Sequence, residues 1–139
     1  MLGILLGSNI NIKNIIAKEF PKIPTDAQNI LAVLTTQLNG KSKIKDFIYE
    51  NRIRVFFEEL SKMEADVRIS SDKHGVILGP TPLKGVELSS IDLRAGAALL
   101  IAALIAEGES KINNINLIDR GYSRLEEKIN SLGANIKRI

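Results

Sequence analysis

Three arginines stand where the sequence predicts helices to begin: Arg52, Arg94 and Arg120 each fall at or just before such a start. A cation in a first turn opposes the helix dipole and costs about 0.3–1 kcal/mol where it is exposed. Three such cases, two of them equivalent in an internal repeat, point to a site where guanidiniums and helix N-termini face the same anion. The bland alternative is a set of neighbouring ion pairs, Glu50 with Arg52, Asp92 with Arg94 and Asp119 with Arg120. Isolated pairs of that kind are common and worth little. Asp26 and Asp92 fall in the first turns of two helices, where a carboxylate simply answers the dipole. If those helices stack as equivalents, both carboxylates share one mouth with the arginines. A carboxylate there could serve as a general base on a hydroxyl.

The elements that must hold these residues read as follows. Residues 10–16 alternate apolar and polar positions and predict a strand, which Pro21 and Pro24 interrupt. Thr25 is placed to cap a helix, with Gln28 at capping-box spacing and a stripe of Ile30, Leu31, Leu34 and Leu38 before Asn39-Gly40. A strand over 42–48 and a helix over 51–63 follow, then a hairpin of 65–69 with 76–78. His74 is expected in its solvated turn. After a proline-containing connector over 79–85, residues 86–88 suggest a short strand and Ser90 a helix cap. The run 95–106 carries no charge and, at twelve residues, is too short for the roughly 20 a bilayer span needs, so it predicts a fully buried helix. A strand over 110–115, an amphipathic helix over 121–132 and a closing strand over 134–139 complete the α/β (α+β) pattern.

Composition narrows the function classes. The 139 residues suffice for one ordinary domain, and 45% apolar with 25% charged residues suits a globular chain. Nineteen basic residues nearly balance sixteen acidic ones, and no basic patch is interleaved with aromatics, so no nucleic-acid partner is expected. The absence of cysteine excludes disulfides, thiolate metal sites and a cysteine nucleophile from this chain. With one histidine and no clustered carboxylates, neither a metal nor a cofactor is expected. Residues 1–7 are apolar but lack a basic flank and a cleavage site, so the expected compartment is the cytoplasm, with no membrane partner.

An internal repeat organises the chain. Gly40-Lys41-Ser42-Lys43-Ile44 matches Gly108-Glu109-Ser110-Lys111-Ile112 at an offset of 68, and Arg52 matches Arg120 at the same offset. Met63-Glu64-Ala65-Asp66-Val67 matches Leu132-Gly133-Ala134-Asn135-Ile136, now 69 apart. The helix before each glycine opens with an aspartate, Asp26 or Asp92. The expectation is two strand–helix–strand–helix–strand units, about 10–79 and 85–139, with the extra hairpin strand visible only in the first. Such units are not expected to bury both faces alone, which implies a larger parent fold.

Several motifs carry a family resemblance. Pro24-Thr25-Asp26-Ala27-Gln28, Glu50-Asn51-Arg52, Asp92-Leu93-Arg94-Ala95, Ala106-Glu107-Gly108 and Ile118-Asp119-Arg120-Gly121-Tyr122, then Leu132-Gly133-Ala134-Asn135-Ile136, resemble the C-terminal third of the UDP-N-acetylglucosamine 1-carboxyvinyltransferases. These belong to the enolpyruvyl transferase family. The resemblance implies repeated βαβαββ units in an inside-out barrel, of which this chain would hold about two of the three in one domain. It implies transfer of enolpyruvyl from phosphoenolpyruvate to the 3-hydroxyl of UDP-N-acetylglucosamine, the first committed step of peptidoglycan synthesis. By the same resemblance Asp26 is the candidate base at that hydroxyl, and Ile48 lines the UDP-sugar site. Arg52 and Arg120 hold the carboxylate and phosphate of phosphoenolpyruvate, Asp92 assists proton transfer, and Arg94 lies nearby on the anion. Bidentate guanidiniums suit both anionic groups.

The resemblance also defines what this chain does not carry. The family's mobile loop, with its cysteine or aspartate, and its lysine–asparagine pair lie in the other domain, so the expected partner is a missing N-terminal portion in cis or in trans. Gly96 stands where the family often has serine, and Glu64 where a glycine usually precedes Ala65. Two other readings are a non-catalytic remnant that acts as an interaction module, and the sister enzyme acting on shikimate 3-phosphate. The latter typically shows Lys-Glu shortly before its Asp-Arg, where this chain has Asn116-Leu117-Ile118.

Overall fold

The computed structural model describes residues 11–139; part of the strand expected over 10–16, and the apolar opening 1–7, lie outside them. The element order is β1 (Asn14–Ala17), α1 (Thr25–Thr35), β2 (Gly40–Asp46), α2 (Arg52–Lys62), β3 (Val67–Ser71), β4 (His74–Gly79), β5 (Glu87–Ser89), α3 (Leu93–Ile105), β6 (Lys111–Asn113), α4 (Asn116–Asp119) and α5 (Leu125–Asn130). This is a mixed α/β architecture in two βαβ halves. In the first, β1 and β2 are parallel and β4 and β3 add antiparallel, giving the order β1-β2-β4-β3. In the second, β5 and β6 form a parallel pair of their own.

The period-2 alternation of β2 decides which face of the first sheet the helices cover. Ser42, Ile44 and Asp46 are buried, and Lys41 and Lys43 point to the outer, exposed face. Against the inner face pack Phe56, Phe57 and Leu60 of α2, all at most 1% exposed. Burying such side chains contributes roughly 1.5–3 kcal/mol each, which fixes the position of α2 and of the loop that precedes it. Gly75 of β4 admits Phe57, because a Cβ there would lie 2.3 Å from its ring. The buried Glu59 carboxylate of α2 accepts the Ser89 backbone N–H at 2.9 Å and so ties β5 to the first half.

Helices α1 and α3 lie against each other and show where sequence reasoning misjudged burial. On α1 the buried positions are Gln28, Asn29, Ala32, Val33 and Thr35, whereas Ile30, Leu31 and Leu34 of the expected stripe are only half-buried. On α3 the expected full burial is limited to Ala95, Gly96, Ala97, Ala98, Leu99 and Ala102, and Leu100, Ile101, Leu104 and Ile105 stay half-exposed. Small residues on α3 let α1 approach closely, and the large residues are left on the flank.

Several local expectations are corrected. Pro24, not Thr25, is the N-cap of α1, and Gln28 points inward, where its Nε2 donates to the Lys45 carbonyl at 2.9 Å. Asp92, not Ser90, caps α3. His74 begins β4 rather than sitting in the turn, because Ser71 and His74 already pair across it. The strand expected over 110–115 stops at Asn113 and gives way to α4. The helix expected over 121–132 forms only as α5, with no fully buried residue. Residues 134–139 form no strand; the Asn130 side-chain amide instead bonds both backbone groups of Ile136, at 2.8 Å each. The hairpin partner that β4 provides in the first half has no counterpart there among the described residues.

Candidate functional site

The mouth forms where α1 and α3 begin. Their first residues, Thr25 and Leu93, are 68 apart, so the structural equivalent of Asp26 is Arg94 and not Asp92. This corrects the expectation that both helices open on an equivalent aspartate. The equivalent residues carry opposite charge and meet: Arg94 Nε donates to Asp26 Oδ1. The Asp26 carboxylate raises the Arg94 pKa above the ordinary guanidinium value, with smaller contributions from Asp92 and Tyr49. Asp26 stays open to solvent, its side chain 66% exposed against 27% for Arg94.

Asp92 is occupied differently. Its Oδ1 accepts the backbone N–H groups of Arg94 and Ala95, both at 2.8 Å, an N-cap arrangement that supplies partners for two otherwise orphaned donors. The cap also fixes the start of α3, and with it the backbone from which Arg94 reaches Asp26.

Arg52 begins α2, as expected, but it does not stand open in the mouth. Its side chain is 8% exposed, Nη1 lies 3.8 Å from Oδ2 of the fully buried Asp46, and its guanidinium is stacked 3.7 Å from the Tyr49 ring centroid. Asp46 Oδ1 meanwhile accepts the N–H groups of Ile48 and Tyr49, at 2.8 and 3.0 Å. One buried carboxylate therefore shapes the whole 46–52 connection. Phe47, Ile48 and Tyr49 are held outward as an exposed apolar rim, 39–48% accessible. Phe47 meets His74 edge-to-face at 6.0 Å, with Lys18 Nζ 4.7 Å above its ring. Asp46 and Tyr49 were not singled out in the sequence. Tyr49 supplies the face on which Arg52 stacks.

Arg120 follows α4 as its C-cap, not a helix start, so the dipole favours its charge there. Its neighbour Gly121 packs against the start of α3. A Cβ on Gly121 would lie 2.9 Å from the side chain of Leu93, the first residue of α3. Gly96 does similar work, because a Cβ there would meet Ser90 Oγ at 2.3 Å and Ile118 Cγ1 at 2.5 Å. The glycine at this family serine position thus lets α4 close on α3. Arg120 is exposed and has no polar partner among the described residues.

None of the three neighbouring ion pairs forms. Glu50 pairs with Lys73 at 3.6 Å, Arg52 with Asp46, Arg94 with Asp26, and Asp119 with Arg138. The two helix starts thus bring together Asp26, Arg94 and Asp92, while Arg52 is stacked on Tyr49 and Ile48 is exposed in the same 46–52 connection. At these helix starts a solvent-accessible carboxylate, Asp26, is bound by Arg94, and the first N–H groups of α3 are taken by Asp92. A depression of about 320 Å³ among Asn11, Lys13, Asn14, Lys41 and Lys43 shares no residue with this mouth.

A repeated βαβ fold with an acid and an arginine, Asp26 and Arg94, paired across its helix N-termini places the chain among α/β proteins. The chain belongs to the family described as EPSP synthase (3-phosphoshikimate 1-carboxyvinyltransferase), whose model matches residues 4–129. It is 42% identical over 99% of its length to a UDP-N-acetylglucosamine 1-carboxyvinyltransferase of Halothermothrix orenii, covering 33% of that protein. A protein of the same description from Streptococcus pneumoniae is 43% identical over 95% of the chain and 31% of its own length. The chain thus spans about a third of the curated relatives it matches. Among solved structures it is similar to the enolpyruvyl transferase NikO from Streptomyces tendae, with a TM-score of 0.86, 30% identity, and coverage of 95% of this chain and 30% of that one. EPSP synthase from Acinetobacter baumannii shares the fold at a TM-score of 0.64 and 17% identity, over 83% of this chain and 27% of its own. No helix among the described residues is long and apolar enough to cross a membrane.

Proposed function

We propose that this chain supplies one side of the active cleft of an enolpyruvyl transferase that moves enolpyruvyl from phosphoenolpyruvate to the 3-hydroxyl of UDP-N-acetylglucosamine, with release of phosphate. The observation that carries the reading is the mouth itself, an exposed Asp26 held by Arg94 across two helix N-termini; an exposed Arg120 precedes Gly121, which packs on the start of α3. The relatives' printed activity matches what such a mouth can do. Asp26 takes the proton of the sugar hydroxyl as that oxygen attacks. Arg120 and Arg94 hold the anionic groups of phosphoenolpyruvate and stabilise the tetrahedral adduct. Ile48 lines the sugar-nucleotide side of the mouth. Asp92 assists proton transfer and fixes Arg94, while Arg52 acts from beneath Tyr49. Units 10–79 and 85–139 form part of a C-terminal domain whose remaining portion, in cis or in trans, provides the facing half of the cleft. The reaction belongs to peptidoglycan precursor synthesis in the cytoplasm.

The test combines this chain with the preceding two thirds of the Halothermothrix orenii relative and follows phosphate release. Turnover is expected from the pair and not from this chain alone, and Asp26→Ala should abolish it. Failure of the pair to bind UDP-N-acetylglucosamine, or an unchanged rate with Asp26→Ala, would overturn the reading. Shikimate 3-phosphate in place of the sugar nucleotide is the control for the sister activity.

A further inference from the structure

Arg120 is exposed, and the carboxylate next to it in sequence is engaged elsewhere. Asp119 precedes it in the chain, and its negative charge, left unanswered, would repel an anion arriving at Arg120. Instead, Arg138 reaches back from the last residues of the chain and takes Asp119 in a two-pronged bond, Nη1 to Oδ2 and Nη2 to Oδ1, each 2.9 Å. The same guanidinium holds Glu126 of α5, with Nε to Oε1 at 3.1 Å and Nη2 to Oε2 at 3.0 Å. One arginine therefore answers both carboxylates, the one that precedes Arg120 and the one six residues beyond it. With Arg138 present, Asp119, Arg120, Glu126 and Arg138 sum to zero charge; without it they sum to −1, and the excess lies beside the anion ligand. The fork geometry matters, because a planar guanidinium can satisfy two carboxylates at once where an ammonium acts as a point charge.

We propose that Arg138 is a positioning residue for the anion site: by neutralising Asp119 and Glu126 it keeps Arg120 available to a phosphate or carboxylate ligand. The proposal rests on the reading of Arg120 as an anion ligand and adds the residue that maintains it. It also gives a role to residues 134–139, which form no strand yet are tethered through Ile136 and Arg138. A carboxylate several ångströms from a bound anion, partly screened by water, weakens binding by about threefold to tenfold.

The experiment titrates the 139-residue chain with inorganic phosphate and follows arginine Nε–Hε resonances by NMR. Arg138→Gln should weaken phosphate binding at Arg120 about threefold to tenfold. Asp119→Asn breaks the same ion pair but removes the offending charge, so it should leave affinity unchanged or improved. The double variant should match Asp119→Asn, and Arg138→Lys should fall between wild type and Arg138→Gln. Equal losses in Arg138→Gln and Asp119→Asn would mean a purely structural tie and would overturn the proposal, as would wild-type affinity in Arg138→Gln. If Arg120→Gln leaves phosphate binding intact, the anion role of Arg120 itself fails, and that result is distinct from the other two. Should Arg138→Gln lose its fold, the contrast between Arg138→Lys and Asp119→Asn carries the same discrimination.

Discussion

Arg52 and Arg120 occupy equivalent places in the two βαβ halves, 68 residues apart, yet their surroundings are opposite. Arg52 is nine-tenths buried, faces the buried carboxylate of Asp46 and lies under Tyr49. Arg120 is exposed and unpartnered among the described residues. The cause lies at the same offset. Asp46 is replaced by Asn114, which carries no charge, and Tyr49 by Leu117, which offers no aromatic face. Two substitutions thus separate an arginine that builds the rim of the mouth from one that can meet a ligand in it. The helix N-termini diverge in the same way, with Asp26 in one half and Arg94 in the other, and here the divergence creates a pair. Duplication placed two copies of one corner side by side, and asymmetry between the copies supplied the acid, the bound cation and the free cation.

The strongest way to break this comparison is at Asp46. Asp46→Ala leaves Arg52 buried without its counter-charge and removes the acceptor for two backbone N–H groups. A loss of about 3–5 kcal/mol in urea denaturation is expected, the range for removing one member of a buried ion pair. Arg120→Ala in the other half should change stability by less than about 0.5 kcal/mol. Similar losses from the two variants would show that the burial difference has no energetic meaning.

A smaller effect tests how alike the halves are. Helix α2 ends with Glu64 at φ +64° and α5 with Gly133 at φ +102°. The hydrogen bonds match, with Ala65 N–H donating to the Leu60 carbonyl and Ala134 N–H to that of Ile129. Both are left-handed helix stops, and a side-chain-bearing residue in that conformation costs about 1–2 kcal/mol, partly offset by the greater freedom of glycine in the unfolded chain. Glu64→Gly should therefore stabilise the protein by about 0.5–1 kcal/mol, and Gly133→Ala should destabilise it by about 1 kcal/mol. Opposite signs in equilibrium denaturation support equivalence of the two stops; a loss on Glu64→Gly would refute it.

The ease with which different features were read from sequence follows from how far apart the partners lie. The repeat was legible because Gly40 and Gly108 both need φ values that glycine adopts freely, +106° and +90°. The apolar run announced α3. What failed was everything decided by packing. Hydrophobicity alone could not show that α1 would bury Gln28, Asn29 and Thr35 while leaving Leu34 half-open. The ion pairs failed for the same reason: Asp26 meets Arg94 across 68 residues, and no local pattern encodes that. The expected helix over 121–132 and the closing strand shortened or vanished where few neighbours are present to bury them. Asp46 and Tyr49 left one faint signal, since an inward-facing aspartate at the end of an alternating strand asks for a cation.

Converting the second corner into the first gives a finer test. Asn114→Asp supplies the carboxylate that Arg120 lacks, at a position whose φ of +57° suits aspartate as well as asparagine. A loss of phosphate affinity of about threefold to tenfold is expected, the cost of one nearby negative charge in partly screened surroundings. Adding Leu117→Tyr should deepen the loss by giving the guanidinium a face to stack on. If phosphate binding is indifferent to both changes, the surroundings of Arg52 are not what withdraws it from the ligand.

The weakest effect separates the halves by pH. Hydrogen bonds from Arg138 hold the Asp119 and Glu126 carboxyls below their ordinary values, and Lys84 does the same for Glu107. A depressed carboxylate contributes stability that is fully present above its unfolded value, near 4, and that is lost as pH falls through the lower folded value. Asp119 and Glu107 are exposed and Glu126 partly so, and salt screens such pairs, so the contribution is small. Acidification from pH 6 towards pH 3 should therefore loosen the 134–139 segment before the sheet of the first half. Amide protection factors at Ile136, corrected for intrinsic exchange and set against those of β2, report the difference. In Arg138→Gln that pH dependence should flatten, because no guanidinium remains to depress either carboxyl, and high salt should produce the same flattening in the unaltered chain. A segment whose protection tracks β2 across the whole range would mean that the tether is apolar packing rather than charge.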